Sequence, residues 1–428
     1  MKPIEIFKQI TTIPRCSGTH QPFINYIKDY AASYNYICKI DSANNILCYK
    51  EDRKADICLQ SHYDIVCLSD GVIPEVLEED GFLVAKNSTL GADNGIGCAY
   101  MLALMSEDKN CEFLFTCDEE IGLIGANNIE HTLSSKYMLN LDSEEQGEIC
   151  IGCAGGVDIF ALNSKSVYKP NSENKDLYEI EVSGLDGGHS GVDIDKDIPN
   201  GIKLLASIIK QCDGELLHIN GGERINSIPK YAKAIIVSNQ EPTSNSDFVK
   251  IEKLDTPTAH YKSLDPNILD FLYIFSDGVR GYDKELEVVQ SSINLAIVEC
   301  SIDGVKVSLS ARSMENEKLS ILKDETIALL NHFGFETSTD GKYPAWKPHT
   351  NEFVSSVLKV YKSHEPTAAL SAIHAGLECA IFKDKYPNIQ VCSIGPNIYF
   401  PHSFREKCEI SSALKLYDIT KEIVQQYQ

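Results

Sequence analysis

The sequence predicts an α/β protein in which a mixed, mostly parallel sheet lies between helices and an α+β module is inserted into the chain. Apolar, strand-like runs alternate with helical patterns towards both ends of the sequence. In the middle, apolar and polar residues alternate strictly, which is typical of a sheet with one face in water. The chain has 428 residues, too many for one hydrophobic core, so two domains are expected.

The first part of the chain supplies the helix-covered sheet. One helical face is formed by Ile4, Phe7 and Ile10. Strand-like apolar runs follow at 45–49, 57–60, 112–116 and 137–141. A buried helix is predicted at 95–105, between two of these runs. This alternation is typical of a sheet packed between helices.

The character of the sequence changes after about residue 160. Tyr178, Ile180 and Val182 alternate with polar residues, and the stretch 305–312 follows the same pattern. Helices are predicted among these strands at 202–209 and 319–330, and helix and buried-strand signals resume at 354–361 and 389–394. Insertion at surface loops is tolerated. Residues 161–341 are therefore predicted to be an inserted domain, and residues 1–160 and 342–428 to form one discontinuous domain.

Composition excludes several function classes. The net charge is −23, from 39 basic and 62 acidic residues, whereas a nucleic-acid-binding protein needs a basic face. An acidic chain is also unsuited to anionic lipid, and no apolar run approaches the roughly 18–20 residues that span a bilayer. The N-terminus lacks the basic start and cleavage site of a secretory signal. We expect a cytoplasmic protein without nucleic-acid or membrane partners.

The cysteines give no sign of a structural metal site. There are fifteen, an odd number with irregular spacing, and they lie within apolar stretches. In a reducing compartment such cysteines are expected to be small buried hydrophobic residues. Cys150 and Cys153 form one CxxC, but a four-ligand zinc knuckle would need a second pair.

Histidine and acidic residues follow the predicted strands. Glu119 and Glu120 stand side by side after the apolar run 113–115. Two like charges at a strand end are costly unless a cation lies between them. His62 and Asp64 stand two positions apart at the end of another run, so their side chains point the same way. A carboxylate in that position can fix the tautomer of a metal-binding imidazole.

Three more residues complete a metal-ligand set. Asp93 lies in a glycine-rich turn before the buried helix, where a carboxylate could bridge two cations about 3.5–4 Å apart or simply cap the helix. Asp142 directly follows an apolar run, and His402 follows the last strand-like run. Mixed nitrogen and oxygen ligands suit two divalent ions, most favourably Zn²⁺, with Mn²⁺ or Co²⁺ as alternatives.

At these residues the chain resembles the co-catalytic zinc exopeptidases of the aminoacylase and carboxypeptidase superfamily. Within it, the chain is most similar to the aminoacyl-histidine (Xaa-His) dipeptidase group, also called cytosolic non-specific dipeptidases. The shared motifs lie at 89–97, 142–156, 184–191, 374–379 and 393–403. The resemblance therefore extends over nearly the whole chain.

The resemblance implies a ligand assignment. His62 and Asp142 would hold one metal ion, Glu120 and His402 would hold the other, and Asp93 would bridge the two.

The resemblance also implies a reaction. The chain would be a metallo-exopeptidase that hydrolyses the amide bond of dipeptides, either Xaa-His or of broad specificity. A water bridging the metals would have its pKa lowered from about 15.7 to about 7. Glu119 would be the general base that passes the proton to the leaving amine, and Asp64 would orient His62. His189 would stabilise the oxyanion.

For the inserted domain, the resemblance implies a lid that often mediates dimers, and so a homodimer. His189 matches a lid histidine that reaches an active site, commonly that of the partner subunit. Asn226, Arg312, His374 and Glu378 are expected to bind the substrate, and Arg312 is the candidate for its terminal carboxylate.

Departures from the group bear on substrate preference. Ile225 stands where a basic residue is expected, Tyr63 stands where an aliphatic residue is usual, and the chain is shorter than typical, mostly in the lid. Two alternatives stay open: an aminoacylase-like or carboxypeptidase-like hydrolase, and a non-catalytic metal-binding or peptide-binding protein. A serine hydrolase is disfavoured because glycine follows Ser190 by one position, whereas GxSxG needs two.

Overall fold

A computed structural model describes residues 2–68, 73–165, 175–255 and 262–428. The chain divides into two compact units. The first unit comprises Met1–Cys153, Trp346–Ala372 and Leu377–Gln428, and the second unit comprises Ala154–Ala345 and Ile373–Gly376. The segment Ile373–Gly376 carries His374, so this residue groups with the second unit, whereas the sequence-based division put it in the first. The assignment of residues 161–341 as a lid and dimerisation domain stays a prediction.

The first unit contains an eight-stranded sheet with helices packed against it. Its elements before the second unit are α1 (Pro3–Thr11), α2 (Gln21–Ser33), β1 (Ile37–Ile40), β2 (Ile46–Tyr49), β3 (Ile57–His62), β4 (Glu75–Glu79), β5 (Phe82–Lys86), α3 (Ala92–Ser106), β6 (Glu112–Thr116), α4 (Ile124–Asn127), β7 (Tyr137–Asn140) and β8 (Glu148–Cys153).

The second unit is a nine-stranded sheet with helices on it. Its elements are β9 (Gly155–Asn163), β10 (Asp176–Val182), β11 (Gly188–His189), α5 (Gly201–Gln211), β12 (Glu215–Gly221), β13 (Ser227–Ile228), β14 (Ala232–Ser238), β15 (Val249–Leu254), α6 (Pro266–Ile274), β16 (Gly278–Asp283), β17 (Val288–Ser301), β18 (Gly304–Ser313), α7 (Asn316–His332) and β19 (Glu336–Tyr343).

The chain then returns to the first unit. The remaining elements are α8 (Glu352–His364), β20 (Ala369–Ile373), α9 (Glu378–Lys385), β21 (Gln390–Ser393), β22 (Ile398–Tyr399), β23 (Lys407–Glu409) and α10 (Ile410–Gln425).

In the first sheet, four neighbouring strands run parallel, so their carboxyl ends lie on the same side of the sheet. The strand order is β1-β2-β6-β3-β7-β21-β8-β20. The central strands β6, β3, β7 and β21 are parallel, and β1, β2 and β8 pair antiparallel. All residues of β3 and β6 are buried, as expected for parallel strands that are covered on both faces. The small sheet β22-β23-β5-β4 was not predicted.

The second sheet is antiparallel, with the order β15-β10-β14-β12-β17-β18-β9-β19, and β16 pairs with β17. Tyr178, Ile180 and Val182 of β10 are buried in one apolar cluster with residues of α5, α6 and α7. The alternation in the sequence therefore correctly indicated a sheet with helices on one face. Taken with the first unit, this confirms the predicted fold class.

The cysteine prediction is wrong at two positions. Cys16 and Cys67 form a disulfide bond. The backbone of Cys16 pairs with that of Ile65, and Ser17 N–H donates to the Ile65 carbonyl at 3.3 Å, which brings the two loops side by side. The other cysteines form no disulfide bond and are buried, except for Cys38 and Cys300, which are partly exposed.

Within the described ranges of the chain, no helix is both long enough and apolar enough to cross a membrane.

Candidate metal centre

Three predicted metal ligands of the first unit, His62, Glu120 and Asp142, lie at or just after the carboxyl ends of its parallel strands. β3 ends in His62, Glu119 and Glu120 follow β6, and Asp142 follows β7. Asp93 lies in the first turn of α3. The carboxyl ends of parallel strands are where open α/β sheets place their sites.

The carboxylate of Asp93 lies between two pairs of ligands. Its Oδ1 is 3.1 Å from His62 Nε2, which is also 3.1 Å from Asp142 Oδ1. Its Oδ2 is 3.0 Å from His402 Nε2, which is 2.8 Å from Glu120 Oε2. The structure thus brings together all five residues proposed as metal ligands, in two groups that share one carboxylate.

The electrostatics of this cluster fit bound cations. Burial raises the pKa of Glu120 and of Asp142, and the negative charge of Asp93 adds to both shifts. Burial opposes the charged form of His62, but the acids around it hold its pKa well above the usual range. Glu120 Oε1 is buried without a hydrogen-bond partner among the described residues. Crowded acids and an unpartnered oxygen are what a divalent ion would relieve, and imidazole and carboxylate donors suit Zn²⁺, Mn²⁺ or Co²⁺.

Asp64 contacts both His62 and the loop that carries Glu119 and Glu120, whereas the sequence indicated only His62. His62 Nδ1 lies 3.1 Å from the Asp64 backbone carbonyl and 3.5 Å from Asp64 Oδ1. The same carboxylate accepts the backbone N–H groups of Glu119 at 3.0 Å and of Glu120 at 3.3 Å, and the hydroxyl of Ser17 at 2.8 Å. Burial alone would raise the pKa of Asp64, but its hydrogen bond with His62 holds that pKa below the usual value. Asp64 therefore fixes an imidazole and the loop that carries both adjacent glutamates.

Glu119, the predicted general base, has a carboxylate of high proton affinity. Burial raises its pKa well above the usual range; the charge of His62 opposes the shift, and the charges of Asp142 and Glu120 add to it. A carboxylate whose pKa is shifted towards neutrality is a more effective acceptor of a proton than an ordinary one.

Asn94, the neighbour of Asp93, was missed by the sequence analysis. Its side-chain amide donates to the Leu141 carbonyl at 2.9 Å and also to Asp142 Oδ1, and its amide oxygen accepts the Ser61 hydroxyl. Asn94 therefore links the segments that carry three of the proposed ligands. An asparagine directly after a candidate ligand was the only signal available in the sequence.

Glu378, a predicted substrate-binding residue, belongs to a buried polar network. It is fully buried at the start of α9. Its Oε2 accepts hydrogen bonds from Gln60 Nε2 at 2.6 Å and from Thr116 Oγ1 at 2.8 Å. Gln60 in turn accepts a hydrogen bond from Asn140, which makes a buried polar network across the sheet. The contact of Glu378 with substrate stays a prediction.

In the second unit, His189 is held in a defined tautomer. It ends β11, which pairs with β13. Its Nδ1 accepts the backbone N–H groups of Gly191 at 3.2 Å and Val192 at 3.3 Å, so the proton lies on Nε2. Asn226 has an exposed side chain, and its carbonyl accepts the N–H of Ser190 at 2.9 Å.

Arg312 and His374 belong to the same neighbourhood of the second unit. Arg312 donates to the Tyr343 hydroxyl at 2.7 Å and lies opposite Ser292 in the β17–β18 register. The Ser292 hydroxyl is 2.7 Å from His374 Nε2. Burial lowers the pKa of His374 to about 3, and the charges of Arg312 and His189 add to the shift. His374 is therefore neutral, and Arg312 supplies positive charge in this cluster.

Comparison with known proteins identifies the family. The family described as peptidase family M20/M25/M40 matches residues 58–426. The chain belongs to this peptidase family. The cytosol non-specific dipeptidase of Escherichia coli (strain K12) is 30% identical to this M20/M25/M40 peptidase, over 99% of this chain and 96% of that protein. The resemblance inferred from the motifs is thus confirmed.

Solved structures of related proteins have the same fold. The aminoacylhistidine dipeptidase from Vibrio alginolyticus superposes with a TM-score of 0.82 at 27% identity, over 100% of this chain and 96% of that chain. Human carnosine dipeptidase 1 shares the fold at a TM-score of 0.56 and 12% identity, over 99% and 96% of the two chains.

Proposed function

We propose that this M20/M25/M40 peptidase is a metal-dependent dipeptidase that hydrolyses the amide bond of Xaa-His dipeptides or of dipeptides in general. The position of the Asp93 carboxylate between two pairs of ligands supports this proposal most. The E. coli relative is a non-specific dipeptidase and the Vibrio relative an aminoacylhistidine dipeptidase, which supports the substrate class.

Five residues would hold two divalent ions. His62 and Asp142 are proposed for one ion, Glu120 and His402 for the other, and Asp93 for both. We propose zinc, with manganese or cobalt as alternatives. When bound, such ions supply Lewis acidity and make water a nucleophile at neutral pH.

Glu119 is proposed to move the proton. Its carboxylate accepts a proton from the attacking water and delivers it to the nitrogen of the leaving amine. General acid–base catalysis of this kind contributes about 10²–10⁴-fold. Asp64 keeps the carboxylate in place, because it binds the backbone N–H of Glu119.

The second unit is proposed to bind the substrate. The guanidinium of Arg312 would bind the terminal carboxylate, which favours short substrates with a free C-terminus. The Nε2–H of His189 would donate to the oxyanion. Asn226 and His374 are also proposed to line the substrate site. By analogy with its family, we further propose a cytoplasmic homodimer that forms through this unit.

The function is tested with Glu119→Ala and a substrate panel. The variant is expected to bind two metal ions per chain, as the wild type would, and to lose kcat by about 10²–10⁴-fold. Elemental analysis gives the metal content, and steady-state kinetics on Xaa-His dipeptides, tripeptides and N-acyl amino acids with added Zn²⁺ or Mn²⁺ gives kcat. Glu51→Ala, at an exposed glutamate of the same unit, is the control.

Each outcome decides one part of the proposal. An unchanged kcat in Glu119→Ala would exclude this residue as the base. Preferred cleavage of N-acyl amino acids would favour the aminoacylase-like alternative. A wild-type protein that binds metal but cleaves none of the panel would favour a binding protein.

A further inference from the structure

Glu406 is a buried carboxylate that the motifs did not indicate. Its side chain is 3% exposed. Its two oxygens accept hydrogen bonds from the four consecutive backbone N–H groups of residues 90–93, at 2.8 to 3.4 Å. These groups lie at the start of α3, in the turn that carries Asp93. A buried carboxylate is costly unless it is hydrogen-bonded, and here four backbone donors compensate it.

The same side chain connects two proposed metal ligands. Glu406 stands four positions after His402, and its N–H donates to the Ser403 carbonyl at 3.1 Å, which folds this segment into a turn. Through its carboxylate, the turn that follows His402 is joined to the turn that carries Asp93. His402 and Asp93 are themselves 3.0 Å apart at Nε2 and Oδ2. Glu406 therefore connects the segment of His402, a proposed terminal ligand, to the segment of Asp93, the proposed bridging ligand.

Arg15 holds the opposite side of the Asp93 turn. Its buried guanidinium donates to the Gly91 carbonyl at 2.7 Å and to the Tyr63 carbonyl at 2.9 Å. Gly91 has a φ of +68°, and a Cβ there would lie 2.9 Å from Arg15 Nη2 and from Ile65. The turn is thus held by a guanidinium on its carbonyl side and a carboxyl group on its N–H side, with no space for a side chain at Gly91.

We propose that Glu406 is a positioning residue of the metal centre, which holds Asp93 in the place from which it can bridge two ions. The inference rests on the proposed function only in so far as these residues bind metal. It predicts that loss of the Glu406 carboxylate weakens metal binding. Turnover should fall only because less metal is bound.

The test uses Glu406→Gln in the full chain. The amide has the same size, but its NH₂ group would face N–H donors and would leave them without an acceptor. We expect at least a tenfold rise in the Kd of the weaker-bound Zn²⁺, measured by competition with a chromophoric chelator, because lost supporting contacts typically reduce metal affinity by about 10–100-fold. At limiting Zn²⁺, kcat should fall in parallel with metal content, and excess Zn²⁺ should restore it with KM for the dipeptide unchanged.

Glu112→Gln is the matched control. Glu112 is also a buried glutamate, 4% exposed, whose carboxylate accepts the backbone N–H groups of Ser134 and Ser135 at 2.9 to 3.1 Å. It begins β6 and so lies at the strand end opposite to the metal ligands. Its replacement should lower the unfolding temperature without changing Zn²⁺ affinity. Glu406→Asp retains the charge and should recover part of the affinity, which also covers the case in which Glu406→Gln fails to fold.

Two results would overturn the proposal. One is an unchanged Kd for both ions in Glu406→Gln, or in Glu406→Asp if only that variant folds. The other is an equal loss of Zn²⁺ affinity in Glu112→Gln. A wild type that binds two ions but cleaves no dipeptide would refute the proposed function and leave this comparison of affinities intact.

Discussion

Burial acts in opposite directions on the two clusters of the molecule. In the first unit it raises the pKa values of Glu119, Glu120 and Asp142, because it disfavours the charged carboxylate, and neighbouring acids add to each shift. In the second unit it lowers the pKa of His374 to about 3, and the charge of Arg312 acts in the same direction. In the first cluster the carboxylates outnumber the histidines, which suits cations, whereas the second carries positive charge and is suited to an anion. Burial disfavours the charged carboxylates in the first cluster and the charged imidazole in the second. In each cluster, a ligand of the opposite charge would stabilise the disfavoured form.

The two clusters also differ in how they are held. The proposed ligands of the first unit lie at a strand end, in loops and in the turn that begins α3, and the buried carboxylates of Asp64 and Glu406 bind backbone N–H groups of two of these segments. Arg312 instead lies within β18, where the ladder with β17 sets its position opposite Ser292. The first cluster should thus be sensitive to polar substitutions outside the ligand set, and the second should depend mainly on its own side chains.

Metal removal should have the largest effect, and it should act through the first cluster. Chelation followed by dialysis is expected to abolish turnover and to lower the unfolding temperature, since ions present at about 100 times their Kd stabilise a fold by about 2.7 kcal/mol. Activity assays and thermal denaturation, before and after Zn²⁺ or Mn²⁺ is returned, measure both effects. Full turnover by protein shown to be metal-free would contradict the assignment of the first cluster.

Replacement of Arg312 should affect binding and leave metal content intact. Arg312→Met is expected to raise KM for dipeptides about 10- to 100-fold with kcat nearly unchanged, because a hydrogen bond to a charged group contributes about 1.5–3 kcal/mol. Dipeptides with an amidated C-terminus should show little further loss in the variant. Arg280→Met, at an exposed arginine of the same unit, is the control. Equal losses on free and amidated substrates would show that Arg312 does not bind the carboxylate.

Two of the proposed metal ligands were suggested by the local sequence. Asp142 directly follows an apolar run and His62 stands two positions after another, and the structure places both at the carboxyl ends of parallel strands. Family motifs led to His189 and Arg312, which no local pattern singles out. The fold class followed from the change in periodicity after about residue 160.

The supporting residues were not predictable, since their partners are distant in sequence. Glu406 and Ala92, which share a hydrogen bond, are 314 positions apart. Asp64 was expected to hold only His62, because its bonds to the Glu119 loop depend on the pairing of β3 with β6. Glu378 was assigned from its motif alone, and its hydrogen bonds with Gln60 and Thr116, which join α9 to the sheet, could not be read from the sequence.

The last prediction concerns His374 and stability in acid, where the effect near neutral pH is small. Because the pKa of His374 is about 3 in the folded protein and about 6.5 in an unfolded chain, the unfolded state binds the proton first as pH falls. The stability is fully present above about pH 6.5 and declines from there towards pH 3, by at most about 1.4 kcal/mol per pH unit.

His374→Gln should remove this decline, because glutamine does not titrate and its amide can still bond the Ser292 hydroxyl. Urea unfolding of the wild type and the variant at pH 7.5, 6.0 and 5.0 measures the difference between their slopes. Loss of metal in acid affects both proteins equally and so cancels in that difference. If the two proteins show the same dependence of stability on pH, His374 is protonated in the folded state without a cost in stability. Arg312 would then be the remaining evidence that the second cluster suits an anion.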